Sequence, residues 1–93
     1  MFVWDDDKNR LNIKKHGIDF ETASFVFDDS DRLEYYDSKH SIFEDRYITI
    51  GSINGMITVL YVVFTERKGD IRIISARKAN DAERKVYYGK KRN

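Results

Sequence analysis

The stretch of residues 56–65 constrains the fold of this chain more than any other part of its sequence. It is rich in Val, Ile and Tyr, which favour β-strands. Alternate side chains of a strand share a face, so one face carries Ile57, Val59, Tyr61, Val63 and Thr65, and the other carries Thr58, Leu60, Val62 and Phe64. Since both faces are mostly apolar, this strand belongs at the centre of a sheet or presents a second face to a partner.

Turn signals on both sides place further strands beside this one. Asn54-Gly55 is typical of a β-hairpin because both residues accept a positive φ, so residues 46–51 should form an antiparallel neighbour. Lys68-Gly69-Asp70 predicts a second turn, which leads into a strand over residues 71–77. The remaining strand patterns are short and cover residues 2–4 and 33–36.

The first helix has clear signals at both ends. Asp5 can cap its N-terminus, and the acidic residues 5–7 place negative charge at the positive end of the helix dipole. Residues 14–16 place positive charge in the last turn, and Gly17 tolerates a left-handed stop. The pattern therefore predicts a helix that ends at about His16.

Two further helices are predicted. Asp19 can cap the second helix, and the segment Asp28-Asp29-Ser30-Asp31 ends it. Its inward face carries Phe20, Ala23 and Phe27, with Val26 alongside. The third helix begins at Asn80, whose side chain can accept a backbone hydrogen bond while Glu83 reaches back in a capping box.

These elements predict a single α+β domain over residues 1–93. The order favours a curved antiparallel sheet of about four to five strands, with two N-terminal helices and one C-terminal helix packed on one face. A chain of 93 residues is too short for several domains. Residues 89–93 are expected to form a flexible basic tail.

Composition excludes several classes of protein. The absence of cysteine excludes disulfides, a cysteine nucleophile and cysteine zinc sites. No apolar stretch approaches the roughly 20 residues of a membrane span. We therefore expect a cytoplasmic protein without membrane contact.

The net charge of +1 hides an asymmetry along the chain. Residues 1–76 contain ten Lys or Arg against fourteen Asp or Glu, whereas residues 77–93 contain seven against two. Residues 19–45 form an acidic belt with nine acids and two basic side chains. The basic segment suits a polyanion or an acidic partner, and the belt should repel nucleic acid. A solvated surface with a frayed tail would have the same charges.

Metal and cofactor chemistry is not favoured. Asp37, His40 and Glu44 would meet a metal-ligand geometry only on a helix, and this segment has the pattern of a loop. No Gly-x-Ser-x-Gly motif is present, and the five scattered glycines form no phosphate-binding or dinucleotide loop. We therefore expect no metal and no cofactor.

Arginines on or beside strands are the main candidates for chemistry. Arg46 opens one strand, Arg67 follows the strongest strand, and Arg72 and Arg77 lie on the last strand, where parity places them on opposite faces. Each could pair with one of sixteen acids. A guanidinium group also matches two phosphate oxygens and can stabilise a phosphoryl transition state.

RNA cleavage would need a proton acceptor and base-stacking groups near these cations. The 2′-hydroxyl of RNA is itself the nucleophile, so the protein must orient it, take its proton and stabilise the phosphorane. Candidate acids and bases are His16, His40, Glu44 and Glu66, with Lys15 as a further cation. His16 could instead cap the end of its helix, and His40 could be a loop histidine bonded to Asp37 or Glu44. Tyr61, Tyr87 and Tyr88 offer stacking platforms, whereas Trp4, Phe20 and Phe27 are assigned to packing.

An ordered series of residues from Phe2 to Tyr88 resembles the BrnT family of bacterial toxins. The series comprises Trp4-Asp5, Lys8, Asn12, Lys15-His16-Gly17-Ile18, Phe20-Glu21, Ala23, Val26-Phe27, Asp29, Asp37, His40-Ser41, Glu44, Arg46, Gly51, Thr65-Glu66-Arg67, Arg72-Ile73-Ile74-Ser75-Ala76-Arg77, Ala79, Glu83-Arg84 and Tyr87 or Tyr88. Its most specific part is the run from Arg72 to Arg77.

The resemblance implies a toxin of a type II toxin–antitoxin system: a small ribonuclease with a RelE-like fold that stops translation. It also implies an antitoxin, BrnA, with a ribbon-helix-helix part, and a complex that represses its own operon, so operator DNA is bound only through the antitoxin. Carried over by position, the expected catalytic residues are Lys15, His16, His40, Glu44, Arg46, Glu66, Arg67 and Arg77. The expected RNA-binding residues are Arg72, Arg84, Tyr61 and Tyr88.

Two functions therefore stay open, beside a third option of an inactive relative that is retained for interaction. The first is a metal-independent endoribonuclease in which Arg67 and Arg77 hold phosphate and His16 or Glu44 moves the proton. The second is a non-catalytic binding module that acts with its antitoxin on operator DNA, which the basic tail and the apolar strand faces suggest. Because of the acidic belt, RNA is expected to approach the sheet face and the C-terminal helix.

Overall fold

The computed structural model describes residues 1–53 and 57–91, apart from the side chain of Lys91. In these residues it contains five strands, three α-helices and one 3₁₀ turn. The elements are β1 (Phe2–Val3), α1 (Asp6–His16), α2 (Phe20–Ser24), the 3₁₀ turn (Phe25–Asp28), β2 (Leu33–Tyr36), β3 (Tyr47–Ser52), β4 (Val59–Arg67), β5 (Asp70–Lys78) and α3 (Asp81–Lys91). The α+β class and the order of elements are confirmed.

The five strands form one sheet in the order β1-β5-β4-β3-β2, with the apolar strand β4 at its centre as predicted. Neighbours among β2, β3, β4 and β5 are antiparallel. The prediction of a wholly antiparallel sheet is wrong, because β1 pairs with β5 in parallel. The long path between these two strands through the rest of the chain permits a parallel pair, which no hairpin could make. The Asn54-Gly55 turn lies outside the described residues.

The β4–β5 pair contains a β-bulge that changes which side chains share a face. Val63 pairs with Ser75 and Phe64 pairs with Ile73, so Ile74 is an extra residue on β5. Arg72 pairs with Thr65 and Arg77 pairs with Tyr61. Since Thr65 and Tyr61 are four residues apart on a regular strand, they share a face. The prediction that Arg72 and Arg77 face opposite sides is therefore wrong.

Helices cover both faces of the sheet, which corrects the prediction that all three pack on one face. On the first face, side chains from the segment that includes α2 form a buried cluster with β4 and β5: Ile18, Phe20, Ala23, Val26, Ile53, Leu60, Val62, Ile73 and Ala76. On the second face, Tyr87 of α3 packs with Leu33, Ile50, Val59 and Ala79. The part of the second face around Tyr61 and Val63 is only half-buried, and we call it the open face.

The predicted N-terminal caps of α1 and α2 and the predicted end of α1 are confirmed by the backbone geometry and hydrogen bonds. Asp5 accepts a hydrogen bond from the Lys8 N–H at 3.0 Å, and Gly17 ends α1 with a φ of 72°. Asp19 caps α2, and the helix gives way to the 3₁₀ turn after Ser24, which leaves Phe27 half-buried against the core. α3 continues through Lys91, so residues 89–91 of the predicted tail are helical, and residues 92–93 lie outside the described part.

A buried asparagine attaches α1 to the outer side of β5. β1 covers β5 only at Ile71 and Arg72, so the backbone of Ala76 needs another partner. Asn12, which is 6% exposed, donates to the Ala76 carbonyl at 2.8 Å and accepts from the Ala76 N–H at 3.1 Å. It also donates to the Ile18 carbonyl at 2.9 Å. One side-chain amide thus takes the place of a neighbouring strand.

Candidate nucleic-acid interface

Four of the predicted site residues line one open depression of about 640 Å³ at the end of β4. Its lining residues are His40, Ile42, Phe43, Glu44, Arg46 and Arg67, and we call it the loop pocket, because five of them belong to the segment between β2 and β3. A volume of this size matches that of small-ligand sites in proteins. The pocket therefore joins a carboxylate, an imidazole, an aromatic ring and one cation from a single loop with a second cation, Arg67, from the end of β4.

Glu44 lines the loop pocket and interacts electrostatically with three arginines. Its Oε2 accepts a hydrogen bond from Arg67 at 2.5 Å. This hydrogen bond, together with the positive charges of Arg67, Arg46 and Arg72, outweighs burial and holds the pKa of Glu44 below its ordinary value. Within the described residues, the guanidinium groups of Arg46 and Arg72 make no ion pair or hydrogen bond. Two cations beside the pocket are thus available to an external anion.

Arg77 lies farther along the open face and is held by Glu83, Tyr61 and the Lys78 carbonyl, to which it donates at 3.2 Å. Its guanidinium group donates to both carboxylate oxygens of Glu83, at 2.8 and 2.9 Å, and stacks on the ring of Tyr61 at 3.8 Å. The hydrogen bonds to Glu83 raise the pKa of Arg77, and those from Arg77 lower the pKa of Glu83. Burial raises the pKa of the Tyr61 phenol. Tyr61 and Thr65 are four residues apart on β4, so Arg77 is about 14 Å along the strand from Arg72.

The loop that carries the pocket is closed by hydrogen bonds at its base. The Asp37 N–H donates to the Arg46 carbonyl at 2.8 Å. Ser41 Oγ donates to the Asp37 carbonyl at 2.6 Å and accepts from the Arg46 N–H at 2.9 Å. Asp37 Oδ2 lies 2.9 Å from His40 Nδ1. These contacts hold residues 37–46 as a folded loop, which agrees with the predicted loop and with the predicted Asp37–His40 bond.

The other predicted site residues lie away from the loop pocket. Lys15 and His16, at the end of α1, line a separate shallow depression beside Ile74 and Ser75. Glu66 is exposed and lies on the opposite face of β4 from Thr65. Arg84 and Tyr88 line a depression on α3, where Arg84 bonds to the Ala79 carbonyl at 3.1 Å and Tyr88 bonds to the Ile57 carbonyl at 3.1 Å.

Two features of the loop pocket were not assigned to a site from the sequence. Phe43 is 99% exposed although it is a large apolar residue, and an apolar pair, Ile42-Phe43, inside a predicted acidic loop was the signal that could have found it. Asp37 was predicted as a possible metal ligand or hydrogen-bond partner of His40 and as part of the family series, but not as a site residue. Its position three residues before His40 is the sequence signal for a contact between these two side chains within the loop.

Many acids of the belt are engaged in the fold. Asp29 accepts hydrogen bonds from the Tyr87 hydroxyl at 2.5 Å and the Ser52 N–H at 2.9 Å. Burial favours its neutral form, but these hydrogen bonds and one from the Asp31 N–H outweigh burial and lower the pKa of Asp29. Glu34 pairs with Arg32 at 2.8 Å, and Asp45 accepts from Tyr36 at 2.9 Å. Part of the negative charge of residues 19–45 is therefore engaged in hydrogen bonds and ion pairs within the fold.

Two physical features bear on the class of the protein. Among residues 1–53 and 57–91, no three His, Asp or Glu side chains gather in a way that could hold a metal ion. In the same residues, no helix has the length and apolar character to cross a membrane.

Comparison with known proteins identifies the family. The family model described as "Ribonuclease toxin, BrnT, of type II toxin-antitoxin system" matches residues 4–83. A comparison with curated proteins gives no match. The matched region contains the whole loop pocket and four of the five strands, β2 to β5. With most of its length matched, the chain belongs to the BrnT family of ribonuclease toxins of type II toxin–antitoxin systems.

Proposed function

We propose that this BrnT toxin is a metal-independent endoribonuclease that cleaves RNA in the cytoplasm and thereby arrests translation. The observation that carries the proposal is the group of cations around Glu44 at the loop pocket. The positive charges of Arg46 and Arg72 act on Glu44, which is paired with Arg67, and neither arginine has a carboxylate partner of its own in the described residues. An unpaired arginine next to a pocket can bind two oxygens of a phosphate without first giving up an ion pair.

The proposed chemistry needs little from the protein beyond position and charge. The RNA 2′-hydroxyl is the nucleophile, and the phosphorus gains negative charge as the new bond forms. Arg46 and Arg72 stabilise this charge, and Arg67 is kept in place by Glu44. Arg77 binds a phosphate farther along the RNA on the open face, since its stacking on Tyr61 and its pair with Glu83 fix its position.

Phe43 supplies the proposed contact with a nucleobase. Its ring is almost fully exposed at the mouth of the loop pocket, beside the cations. Stacking of one base on an aromatic ring contributes about 1–3 kcal/mol and depends little on the base. A base on Phe43 would place the adjacent phosphate near Arg46 and Arg67, which line the same pocket.

RNA cleavage in the presence of a chelator tests the proposal. Purified toxin is incubated with single-stranded RNA in EDTA and, in parallel, with added magnesium. We expect equal cleavage in both, with a 2′,3′-cyclic phosphate on the upstream product. Cleavage that requires magnesium would contradict the metal-independent mechanism. A parallel induction in cells without antitoxin should stop protein synthesis before growth ceases.

A BrnA-like antitoxin with a ribbon-helix-helix part is the proposed partner, and operator DNA is the proposed ligand of the complex rather than of the toxin alone. A gel-shift titration separates the toxin's role from the antitoxin's. We expect antitoxin and complex to shift operator DNA, and toxin alone to leave it unshifted at physiological salt. A salt-dependent shift by the toxin alone, without RNA cleavage, would instead support the alternative of a non-catalytic DNA-binding module.

A further inference from the structure

Asp37 and His40 form a side-chain pair that the closure of the loop does not require. Asp37 Oδ2 and Oδ1 lie 2.9 and 3.2 Å from His40 Nδ1. The Asp37 side chain is 12% exposed, whereas that of His40 is 61% exposed. The carboxylate is therefore fixed within the protein, and the ring it holds is open to solvent at the loop pocket.

The contact with Asp37 determines which ring nitrogen of His40 carries the proton. An ionised carboxylate only accepts hydrogen bonds, so Nδ1 must be the donor. In the neutral ring, Nε2 then has a free lone pair. Within residues 1–53 and 57–91, Nε2 has no hydrogen-bond partner. It is thus an available proton acceptor on a ring that lines the same pocket as Arg46 and Arg67.

The loop does not depend on the imidazole for its closure. Ser41 Oγ joins the Asp37 carbonyl to the Arg46 N–H, and the Asp37 N–H bonds to the Arg46 carbonyl. These bonds close residues 37–46 without the His40 ring.

Glu44, the other possible base in the pocket, is already engaged. Arg67 donates to it at 2.5 Å, and neighbouring arginines favour its ionised form further. A carboxylate in that state is a weaker proton acceptor. His16 lines a different depression, and Glu66 lies on the other face of the sheet.

We propose that His40 Nε2 is the general base for the RNA 2′-hydroxyl and that Asp37 is the positioning residue that sets its tautomer and orientation. This assignment rests on the proposed ribonuclease function. His40 takes the 2′ proton as the 2′ oxygen bonds to phosphorus, and the bond between phosphorus and the 5′ oxygen breaks. The 5′ oxygen leaves with the electron pair and takes a proton from water, and the imidazolium returns its proton to solvent. The products are a 2′,3′-cyclic phosphate and a 5′-hydroxyl.

Single-turnover cleavage of a fluorescent mixed-sequence oligoribonucleotide tests the assignment in the full chain. The variants are His40→Ala and Asp37→Asn, with Ser38→Ala as a control on an exposed residue of the same loop. We expect His40→Ala to lower the cleavage rate about 10²- to 10⁴-fold. We expect Asp37→Asn to lower the cleavage rate as well. We expect added imidazole to restore part of the rate of His40→Ala. Binding of a 2′-O-methyl analogue, followed by anisotropy, should stay within about twofold in both variants.

The outcomes separate this assignment from the proposed function. The double variant should be no slower than His40→Ala, because a positioning residue acts only through the ring it holds. An active wild type with a His40→Ala variant of equal rate would overturn the assignment and leave the ribonuclease function intact. Loss of activity that imidazole does not restore, with a lowered melting temperature, would assign the pair to structure. A wild type that cleaves no RNA would overturn both proposals.

Discussion

Arg72 and Arg77 lie on the same face of the sheet although five positions separate them on one strand. Arg72 pairs with Thr65 and Arg77 pairs with Tyr61, and these two partners share a face of β4. The extra residue of the β-bulge, Ile74, brings the two arginines to the same face. A regular strand would send Arg77 into the apolar cluster under α2, where a guanidinium group without a partner would be costly. The bulge thus lets one strand contribute two cations to the open face and still bury Ile73 and Ala76 on the other.

Replacement of Arg72 separates a role in phosphate binding from a role in stability. Arg72 has no ion-pair partner in the described residues, so Arg72→Ala should change the free energy of unfolding by less than about 0.5 kcal/mol. We expect it to slow RNA cleavage about 10²-fold or more, as the loss of one transition-state donor does. Arg10→Ala, an exposed arginine on α1 paired with Asp7, is the control. Equal cleavage by Arg72→Ala and Arg10→Ala would exclude Arg72 from the site.

Replacement of Phe43 tests the base-stacking contact. Phe43→Ala should weaken binding of a 2′-O-methyl oligoribonucleotide by about 1–3 kcal/mol, and Phe43→Trp should retain binding because it keeps an aromatic face. Phe43→Leu is the matched control, since it keeps an apolar side chain without a ring. Anisotropy titrations measure all three. If Phe43→Leu binds RNA as tightly as Phe43→Trp, stacking is not the interaction.

The sequence predicted most local structure because the signals are local. Asp5, Gly17 and the Asn80–Glu83 capping box mark helix ends through contacts within a few residues. The apolar character of both faces of β4 placed it at the sheet centre. The parallel pairing of β1 with β5 depends on where distant segments meet, and no residue near Phe2 specifies it.

The site was predictable only in part for the same reason. The residue types and the segment 37–46 were visible in the sequence, but their grouping depends on the bulge and on the folded loop. Parity arguments fail across Ile74, because one inserted residue reverses the alternation of every side chain beyond it. The separation of His16 and Glu66 from the loop pocket likewise follows from the layers of the fold, which the spacing of residues does not encode.

The Arg77–Glu83 pair predicts a specific dependence of stability on pH. The hydrogen bonds from Arg77 lower the pKa of Glu83 below the ordinary value of 4.5. The ionised pair therefore contributes its full stability above that value, and the contribution disappears as the pH falls through the lowered pKa of the folded state. Glu83→Gln keeps the capping box but removes the charge, so it should be less stable than wild type at pH 7 by roughly 1 kcal/mol or less.

Urea unfolding from pH 7 to pH 2.5 measures this effect. The difference in the free energy of unfolding between wild type and Glu83→Gln should shrink as the pH falls below 4.5, the ordinary pKa of a glutamate side chain. Glu21→Gln, which removes a charge from an exposed position of α2, should leave the pH dependence almost unchanged. A constant difference between wild type and Glu83→Gln over the whole range would show that ionisation of Glu83 has no part in stability.

Asn12 offers the sharpest test of how α1 is attached to the sheet. Asn12→Ala leaves the N–H and carbonyl of Ala76 without their partner, and each unsatisfied buried group costs about 1–3 kcal/mol. We therefore expect a loss of roughly 2–4 kcal/mol in the free energy of unfolding, measured with urea. Asn12→Asp should be no better, because a carboxylate keeps the acceptor but turns a second oxygen towards the carbonyls of Ile18 and Ala76. Leu11→Ala, at a 66% exposed position of the same helix, should cost less than about 0.5 kcal/mol. Similar losses for Asn12→Ala and Leu11→Ala would mean that solvent replaces the Asn12 amide, and that α1 is held by its other contacts.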